Sequence, residues 1–277
     1  MPALQDVADL IHGWYPPATA DSWDAVGLVS GDPAAEVTKV MFAVDPTLEV
    51  AHEAIEWGAD LLVVHHPLFL SGVHSVAATT PKGRTLHTLT QGGCALLTAH
   101  TNADQAVDGV SEALAIALGL RDLTPIRPVP SIGHDKVVTS DPPSGSGTGR
   151  IGTVMEMSLR DFATQVAAAL PQTASGVRVA GDPDRVVRRI AVCGGAGDFL
   201  LDELSTAAVD AYVTSDLRHH RAGEFVEFGG PALVDVAHWA AEWTWLPVVE
   251  AKLRAAMGDT VGTRVSARCT DPWQFRA

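Results

Sequence analysis

The sequence predicts an α/β protein of two coupled lobes, in which largely parallel sheets are flanked by helices. Three observations support this fold class. Short apolar runs alternate with segments of helical periodicity along most of the 277 residues, a pattern typical of parallel βαβ units. Hydrophobic residues make up 47% of the chain, enough for a substantial core. Histidines and aspartates follow several apolar runs directly, where open α/β sheets bind ligands.

The first half begins with a helix and continues with buried strands. Tyr15-Pro16-Pro17 ends the first helix, and Gly58 and Pro67 enclose the apolar run that leads to His65 and His66. The segment 21–33 is rich in turn residues. We predict helices over 3–14, 46–57, 82–91 and 110–118, and strands over 39–45, 60–64 and 94–100.

The alternation fails between residues 124 and 149, where prolines, glycines and serines predict a connection over about 126–150. Lobe one then spans about 1–125 and lobe two about 151–277. In lobe two we predict strands over 151–157, 176–180, 189–194, 210–216 and 232–236, and helices over 159–170, from 198, over 217–228 and over 238–257. The two halves share a pattern that an old duplication would explain, although we find no convincing match of residues.

Charge and cysteine content exclude several classes of protein. A formal net charge of −14 argues against a general nucleic-acid-binding protein, because phosphate contacts dominate that affinity. The three cysteines include no CxxC spacing that would suggest a thiolate metal site. The N-terminus lacks a secretory signal, and no apolar stretch approaches the roughly 20 residues that cross a membrane. We therefore expect a cytoplasmic protein.

Five residues at strand and helix ends are candidate metal ligands. His65 and His66 follow a buried strand, Asp104 follows the next one, and His238 and Glu242 share one face of a predicted helix, about 5–6 Å apart at Cβ. Imidazole and carboxylate ligands suit Zn, Fe, Mn or Ni. Three imidazoles and two carboxylates are a natural set for two ions with coordination positions left for water, and two such ions promote hydrolysis near neutral pH.

Each of these residues also has a structural interpretation. His238 and Glu242 could be an ordinary surface pair. Adjacent side chains on a strand point oppositely, so one of His65 and His66 could be buried and the other exposed, unless the backbone turns before Pro67. Asp104 could simply cap a helix that begins near Val107. The joint occurrence of these candidates at strand-end positions favours the metal-binding hypothesis.

Other polar residues are weaker candidates. His100 could orient a metal ligand or could be a hydrogen-bonded core histidine. Asp216, His219 and His220 are candidate catalytic residues for proton transfer, because histidine titrates near neutral pH, with helix-start and surface roles as the alternative. The run Gly194-Gly-Ala-Gly197 could bind an anion through backbone N–H groups, but it lacks a full phosphate-loop motif, and a tight turn is the other interpretation.

Five blocks of the sequence stand out together. They are Trp23-Asp-Ala-Val-Gly-Leu28, His65-His-Pro-Leu-Phe69, His100-Thr-Asn-Ala-Asp104, Asp216-Leu-Arg-His-His220 and His238-Trp-Ala-Ala-Glu242. In this order they resemble the NIF-three-like family, also called YbgI-like or GTP cyclohydrolase 1 type 2 homologues. Two departures leave the ligands intact: Ala25 stands where the family usually has Asn, and Ala237 stands where it usually has Gly.

The resemblance covers nearly the whole chain and implies several properties. It implies a single NIF-three-like unit over 1–277 with a dinuclear metal site at the strand ends. That site would be formed by His65, His66, Asp104, His238 and Glu242, with Glu242 touching both ions. It further implies a toroidal homohexamer whose metal sites face an internal cavity.

Two functions are compatible with these observations. The leading hypothesis is a metal-dependent hydrolase of a nucleotide-like or phosphorylated small molecule, with two divalent ions per subunit. The alternative is a non-catalytic metal-binding protein with a regulatory or chaperone-like role, since fold and site do not determine chemistry. A membrane partner is not expected.

Overall fold

The structure is a computed structural model that describes residues 1–129 and 145–277. Its helices are α1 Leu4–Trp14, α2 Leu48–Trp57, α3 Pro81–Gln91, α4 Thr101–Gln105, α5 Val110–Ala117, α6 Leu159–Ala169, α7 Leu201–Leu204, α8 His219–Glu227, α9 His238–Trp243 and α10 Leu246–Met257. Its strands are β1 Gly27–Ser30, β2 Lys39–Ala43, β3 Leu61–Val64, β4 Ala95–Thr98, β5 Arg121–Thr124, β6 Arg127–Pro128, β7 Gly147–Thr148, β8 Arg150–Ser158, β9 Arg178–Ala180, β10 Val186–Ala196, β11 Ala211–Ser215, β12 Ala232–Val236 and β13 Gly262–Val265.

The described residues form two compact units that do not follow the two predicted lobes. Unit 1 contains Met1–Ala106 and Leu246–Thr270, and unit 2 contains 107–129, 145–245 and Asp271–Ala277. Helix α5 and strand β5 therefore belong to unit 2, although they precede the predicted connection. The central part of that connection lies outside the described residues, and on either side of it β6 and β7 pair antiparallel.

Unit 1 is built on a five-stranded sheet in the order β1-β4-β3-β2-β13. Strands β4, β3, β2 and β13 run parallel, and β1 joins the edge antiparallel to β4. The inner strand β3 is fully buried, which explains its uninterrupted apolar sequence. The carboxyl ends of β2, β3 and β4 therefore meet at one edge of the sheet, beside His65, His66 and His100.

Unit 2 is built on a six-stranded sheet in the order β5-β8-β10-β11-β12-β9. Its central strands β10, β11 and β12 are parallel, whereas β5, β8 and β9 pair antiparallel with their neighbours. The predicted class, α/β with largely parallel sheets flanked by helices, is confirmed. No helix among the described residues is both long enough and apolar enough to cross a membrane.

Two local predictions differ from the structure. The predicted helix over 238–257 is two helices, because Pro247 has no N–H and its ring would clash with the carbonyl of Trp243 in a continuous helix. Strands β1, β5 and β13 were not expected. Each has only four residues and lies at a sheet edge or end, where partial exposure weakens the hydrophobic signal.

The two units repeat one construction at the start of their inner strands. Asp60 donates its N–H to the Lys39 carbonyl at 2.9 Å, and its Oδ2 accepts from the Lys39 N–H at 3.0 Å. Asp210 donates to the Arg189 carbonyl at 2.7 Å, and its Oδ2 accepts from the Arg189 N–H at 2.7 Å. In both units one aspartate thus ties the start of an inner strand to its neighbour.

The repetition extends to close backbone contacts. A Cβ on Gly31 would lie 2.5 Å from the Ala95 Cβ, and one on Gly181 would lie 2.8 Å from the Ala232 Cβ. Each glycine begins a Gly-Asp-Pro turn, and each alanine begins the strand that leads to a histidine. The structure thus supplies the residue match between the two halves that sequence comparison alone did not find.

Candidate metal centre

Three imidazoles form a cluster at the carboxyl ends of β3 and β4 in unit 1. The ring centroids of His65 and His66 are 5.0 Å apart, and that of His100 lies 5.0 Å from His65 and 5.5 Å from His66. One ligand nitrogen from each ring lies within 4.8 Å of those of the other two. His65 is fully buried and His66 is half-buried, yet both rings reach the same cluster.

A hydrogen bond orients each ring of the cluster. The Nδ1 of His65 contacts the Ala99 carbonyl at 3.0 Å, that of His66 contacts Asp45 Oδ1 at 2.7 Å, and that of His100 contacts Asp24 Oδ1 at 2.8 Å. Because these oxygens can only accept, Nδ1 carries the proton of the neutral ring and Nε2 carries the lone pair.

Asp24 and Asp45 were not among the predicted site residues. Asp24 also accepts from the Thr101 N–H at 3.0 Å and from the Thr101 hydroxyl at 2.5 Å. The signal for Asp24 was its place in the Trp23-Asp-Ala block. The signal for Asp45 was its position at the end of a predicted strand, parallel to the one that precedes His66.

The electrostatics around His100 favour the neutral imidazole. Burial and the neighbouring His65 lower the pKa of His100 from 6.5 to about 4, against the opposing effect of Asp24. For Asp24 itself, burial raises the pKa, but hydrogen bonds from Thr101 and His100 outweigh burial and lower it overall. His100 is therefore uncharged at neutral pH, which is the protonation state that binds metals.

Asp104 lies beside the cluster rather than at a helix cap. It is part of the short helix α4, and its Oδ1 is 3.7 Å from the Nε2 of His65. The alternative role as an N-cap is wrong, because α5 begins at Val110 with Gly109 in the N-cap position.

In unit 2, His238 and Glu242 meet on α9 as the sequence spacing predicts. The His238 Nε2 is 2.8 Å from Glu242 Oε1, and its Nδ1 is 2.7 Å from Asp216 Oδ2. Glu242 is only 2% exposed, so the alternative of an ordinary surface pair is wrong. The hydrogen bond from His238 lowers the pKa of Asp216, against its partial burial. Asp216 therefore positions His238.

The glycine run 194–197 brings strand β10 close to this pair. Gly195 has φ +68°, and a Cβ on it would lie 2.6 Å from Glu242 Oε1 and 3.3 Å from His238 Nε2. A Cβ on Gly197 would lie 2.1 Å from the Tyr212 hydroxyl. Close packing therefore accounts for these glycines, rather than recognition of an anion.

His219 and His220 occupy the first turn of α8, and both are exposed. Their rings are 5.2 Å apart. His219 lines a cavity of unit 2 together with Arg178 and Asp235. The part of His219 and His220 in proton transfer stays a prediction.

The donor chemistry of the cluster fits a divalent metal ion. Neutral imidazoles with Nδ1 held by an acceptor are the usual arrangement of metal-binding histidines, and the nitrogens of His65, His66 and His100 converge. Asp104 adds a carboxylate within unit 1. His238 and Glu242 provide the same ligand types within unit 2. His100-x-x-x-Asp104 and His238-x-x-x-Glu242 follow corresponding strands, so each unit carries a histidine and a carboxylate four residues apart.

Comparison with known proteins gives consistent matches along the chain. A protein of Streptomyces coelicolor named GTP cyclohydrolase 1 type 2 homolog is 47% identical over 277 residues, covering 99% of this chain and 94% of the relative. A Mycobacterium tuberculosis protein of the same name is 39% identical, covering 98% and 97%.

Solved structures share the fold. The crystal structure of a Staphylococcus aureus hypothetical protein has a TM-score of 0.86 at 29% identity and covers 99% of both chains. A Bacillus cereus protein related to NIF3 has a TM-score of 0.87 at 24% identity and the same coverage. The sequence model named Duf34/NIF3 (NGG1p interacting factor 3) matches residues 2–272. With the two His-x-x-x-carboxylate segments, these matches lead to one conclusion: the chain belongs to the Duf34/NIF3 family.

Proposed function

We propose that this protein is a two-metal hydrolase of a nucleotide-like or phosphorylated small molecule. The observation that carries the proposal is the convergence of the proposed ligands His65 and His66 with His100, which is proposed to orient a ligand; an oxygen acceptor holds the Nδ1 of each ring. The name shared by the relatives, GTP cyclohydrolase 1 type 2 homolog, supports a nucleotide-like substrate. The proposed ligands of two divalent ions, drawn from Zn, Fe, Mn or Ni, are His65, His66, Asp104, His238 and Glu242.

The chain's own residues have separable parts in this proposal. When bound, two divalent ions activate water and stabilise charge on the attacking and leaving oxygens. Asp24, Asp45 and Asp216 hold imidazole rings in one orientation and one tautomer. His219 and His220, exposed on α8, are the proposed groups that exchange protons with substrate and solvent.

Substitution of the proposed ligands tests the metal site. His65→Ala and Glu242→Ala should each lose bound metal, measured by elemental analysis and by calorimetric titration with Zn²⁺ or Mn²⁺. His87→Ala and Glu227→Ala, at exposed positions of α3 and α8, are the matched controls and should bind normally. Full metal occupancy in both His65→Ala and Glu242→Ala would refute the proposed ligand set.

A metabolite screen tests the enzymatic part. The metal-loaded protein should hydrolyse a phosphorylated or nucleotide-like compound, and the Glu242→Ala variant should lose that turnover. Light scattering should find the proposed homohexamer in both the wild type and the Glu242→Ala variant. An unchanged assembly without turnover of any compound would favour the non-catalytic regulatory or chaperone-like alternative.

A further inference from the structure

Unit 2 contains a cavity of about 430 Å³ between the edge strand β9 and helix α8, next to strand β12. We refer to it as the β9–α8 cavity. Its volume falls within the range of small-molecule sites, roughly 300–1,000 Å³. Most of its lining is apolar, and these residues are Val179, Ala180, Leu217, Ala222, Val226 and Leu233.

Comparison with unit 1 shows how the cavity arises. Helices α3 and α8 end in the same way: the carbonyls of Leu89 and Phe225 each accept from the amide five residues ahead, at 2.9 and 3.0 Å. Three residues before these positions stand Leu86 and Ala222. Leu86 packs against the buried core of unit 1, whereas Ala222 packs against the core of unit 2 and also lines the cavity. A leucine-sized side chain in one unit is thus replaced by a methyl group in the other.

A charged pair lies at the same place and also has no counterpart in unit 1. Arg178 on β9 is the cross-strand partner of Asp235 on β12 and forms an ion pair with it. In unit 1 the corresponding cross-strand residues are Gly27 and Thr98. Open apolar space and a charged pair therefore coincide in unit 2.

The polar groups of the cavity indicate the kind of ligand. The polar side chains of the lining are Arg178, Asp235 and His219, whose imidazole can donate and accept a hydrogen bond. The charges of Arg178 and Asp235 cancel, so this pair selects for neither cations nor anions. Asp235 accepts from Arg178 and from the Leu217 N–H at 3.2 Å, and a carboxylate has acceptor capacity beyond two hydrogen bonds. Arg178 offers guanidinium donors, and its side chain is 69% exposed. A donor and an acceptor therefore lie side by side next to apolar walls.

We propose that the β9–α8 cavity binds an uncharged heteroaromatic ring that carries both hydrogen-bond donors and acceptors. The apolar walls contact the faces of the ring, and its polar edge reaches Asp235 and Arg178. Leu217, in the cavity wall, directly follows Asp216, whose carboxylate contacts His238. The ring would thus belong to the nucleotide-like substrate. That assignment rests on the proposed function, whereas binding of the ring itself does not.

Titration of the metal-free protein with adenosine, guanosine, cytidine and uridine tests this inference. At least one nucleoside should bind, with calorimetry as the measurement. Ala222→Leu introduces the side chain that unit 1 carries and should weaken that binding by at least about tenfold, because it fills the space for the ring. Ala168→Leu, the same change at an exposed position of α6, is the control and should bind like the wild type.

Two further measurements keep the outcome decisive. Asp235→Asn keeps an acceptor for the Leu217 N–H but removes the charge. It should lower the affinity for the preferred nucleoside or change which nucleoside binds most tightly. In the wild type, magnetisation transfer from nucleoside ring protons should reach the methyl groups of Val179 and Val226, a result that needs no variant to fold.

Absence of binding for all four nucleosides would overturn the inference, as would binding unchanged by Ala222→Leu. A different result would be that the wild type binds no nucleoside and that Ala222→Leu changes the oligomeric state. That result would show that a second copy of the chain occupies the β9–α8 cavity. Nucleoside binding without any hydrolysis would retain the cavity and count against the hydrolase, so the two proposals fail separately.

Discussion

Each histidine of the candidate centre has its ring held by a second group close in space. Asp24 holds His100 and Asp45 holds His66, and both aspartates lie on segments far from their partners in sequence. Asp216 holds His238 from a left-handed backbone conformation, with φ +58°. Such a conformation costs about 1–3 kcal/mol for a residue other than glycine. The fold therefore maintains some strain at Asp216 to keep that carboxylate against the imidazole.

Gly195→Ala should disturb the His238–Glu242 pair directly. The new Cβ would lie 2.6 Å from Glu242 Oε1 on a backbone with φ +68°, so the carboxylate must move. We expect a loss of about 2 kcal/mol or more in the free energy of unfolding, measured by urea denaturation of the metal-free protein. Metal affinity should fall as well.

The control separates backbone strain from the collision. Gly229→Ala places the same Cβ on a backbone with φ +82° in the same unit, where no heavy atom lies within 4 Å. It should lose only about 1 kcal/mol and keep its metal affinity. Equal effects of the two substitutions would contradict the role of Gly195 in giving room to Glu242.

At the scale of elements, carboxylates at strand starts set the register of both sheets. The Asp60 Oδ2 accepts from the Thr38 N–H and hydroxyl, both at 2.7 Å, and from the Lys39 N–H at 3.0 Å. Asp210 performs the same function in unit 2, where its Oδ2 accepts from the Arg188 and Arg189 N–H groups. These aspartates fix where adjacent parallel strands begin, and hence which residues stand together at the opposite, carboxyl ends.

Asp60→Ala should destabilise the protein by about 2 kcal/mol, because it removes a charged acceptor from three donors. Chemical denaturation followed by circular dichroism measures the change. Asp210→Ala should have an effect of similar size, and Asp259→Ala, at an exposed position, should have almost none. A neutral result for both Asp60→Ala and Asp210→Ala would show that strand register does not depend on these carboxylates.

At the scale of the whole molecule, each compact unit contains a segment from the other part of the sequence. Helix α10 and strand β13 complete unit 1, where Val249 and Leu253 are fully buried. Helix α5 and strand β5 belong to unit 2, where Val110 and Leu114 are fully buried. Helix α5, which follows the His100-x-x-x-Asp104 segment of unit 1, thus packs in unit 2. Helix α10, which follows the His238-x-x-x-Glu242 segment of unit 2, packs in unit 1.

This exchange predicts that neither part of the chain folds by itself. Residues 1–129 lack α10 and β13 of unit 1, and residues 145–277 lack α5 and β5 of unit 2. Each fragment would expose a hydrophobic core, so we expect no cooperative thermal unfolding and poor dispersion of NMR signals. An equimolar mixture of the two fragments should regain cooperative thermal unfolding and well-dispersed NMR signals. Cooperative unfolding of either fragment alone would contradict this expectation.

The local pattern of the sequence was sufficient for the inner elements and for the candidate ligands. Apolar runs such as Leu61–Val64 are buried on both faces, so their hydrophobicity is unambiguous, and polar residues at their carboxyl ends meet at one edge of a parallel sheet. The spacing of His238 and Glu242 likewise depends only on the geometry of one helical turn. The family could be named from the same blocks.

Only the tertiary structure decided which side chains support those ligands and how the chain is divided. Asp24 lies 76 residues from His100, and Asp45 lies 21 residues from His66, so no local pattern links them. The exchange of α5 and α10, the match between the two units and the β9–α8 cavity likewise depend on packing between distant segments. Periodicity reports which face of an element is buried, but the partner that buries it is determined by the fold.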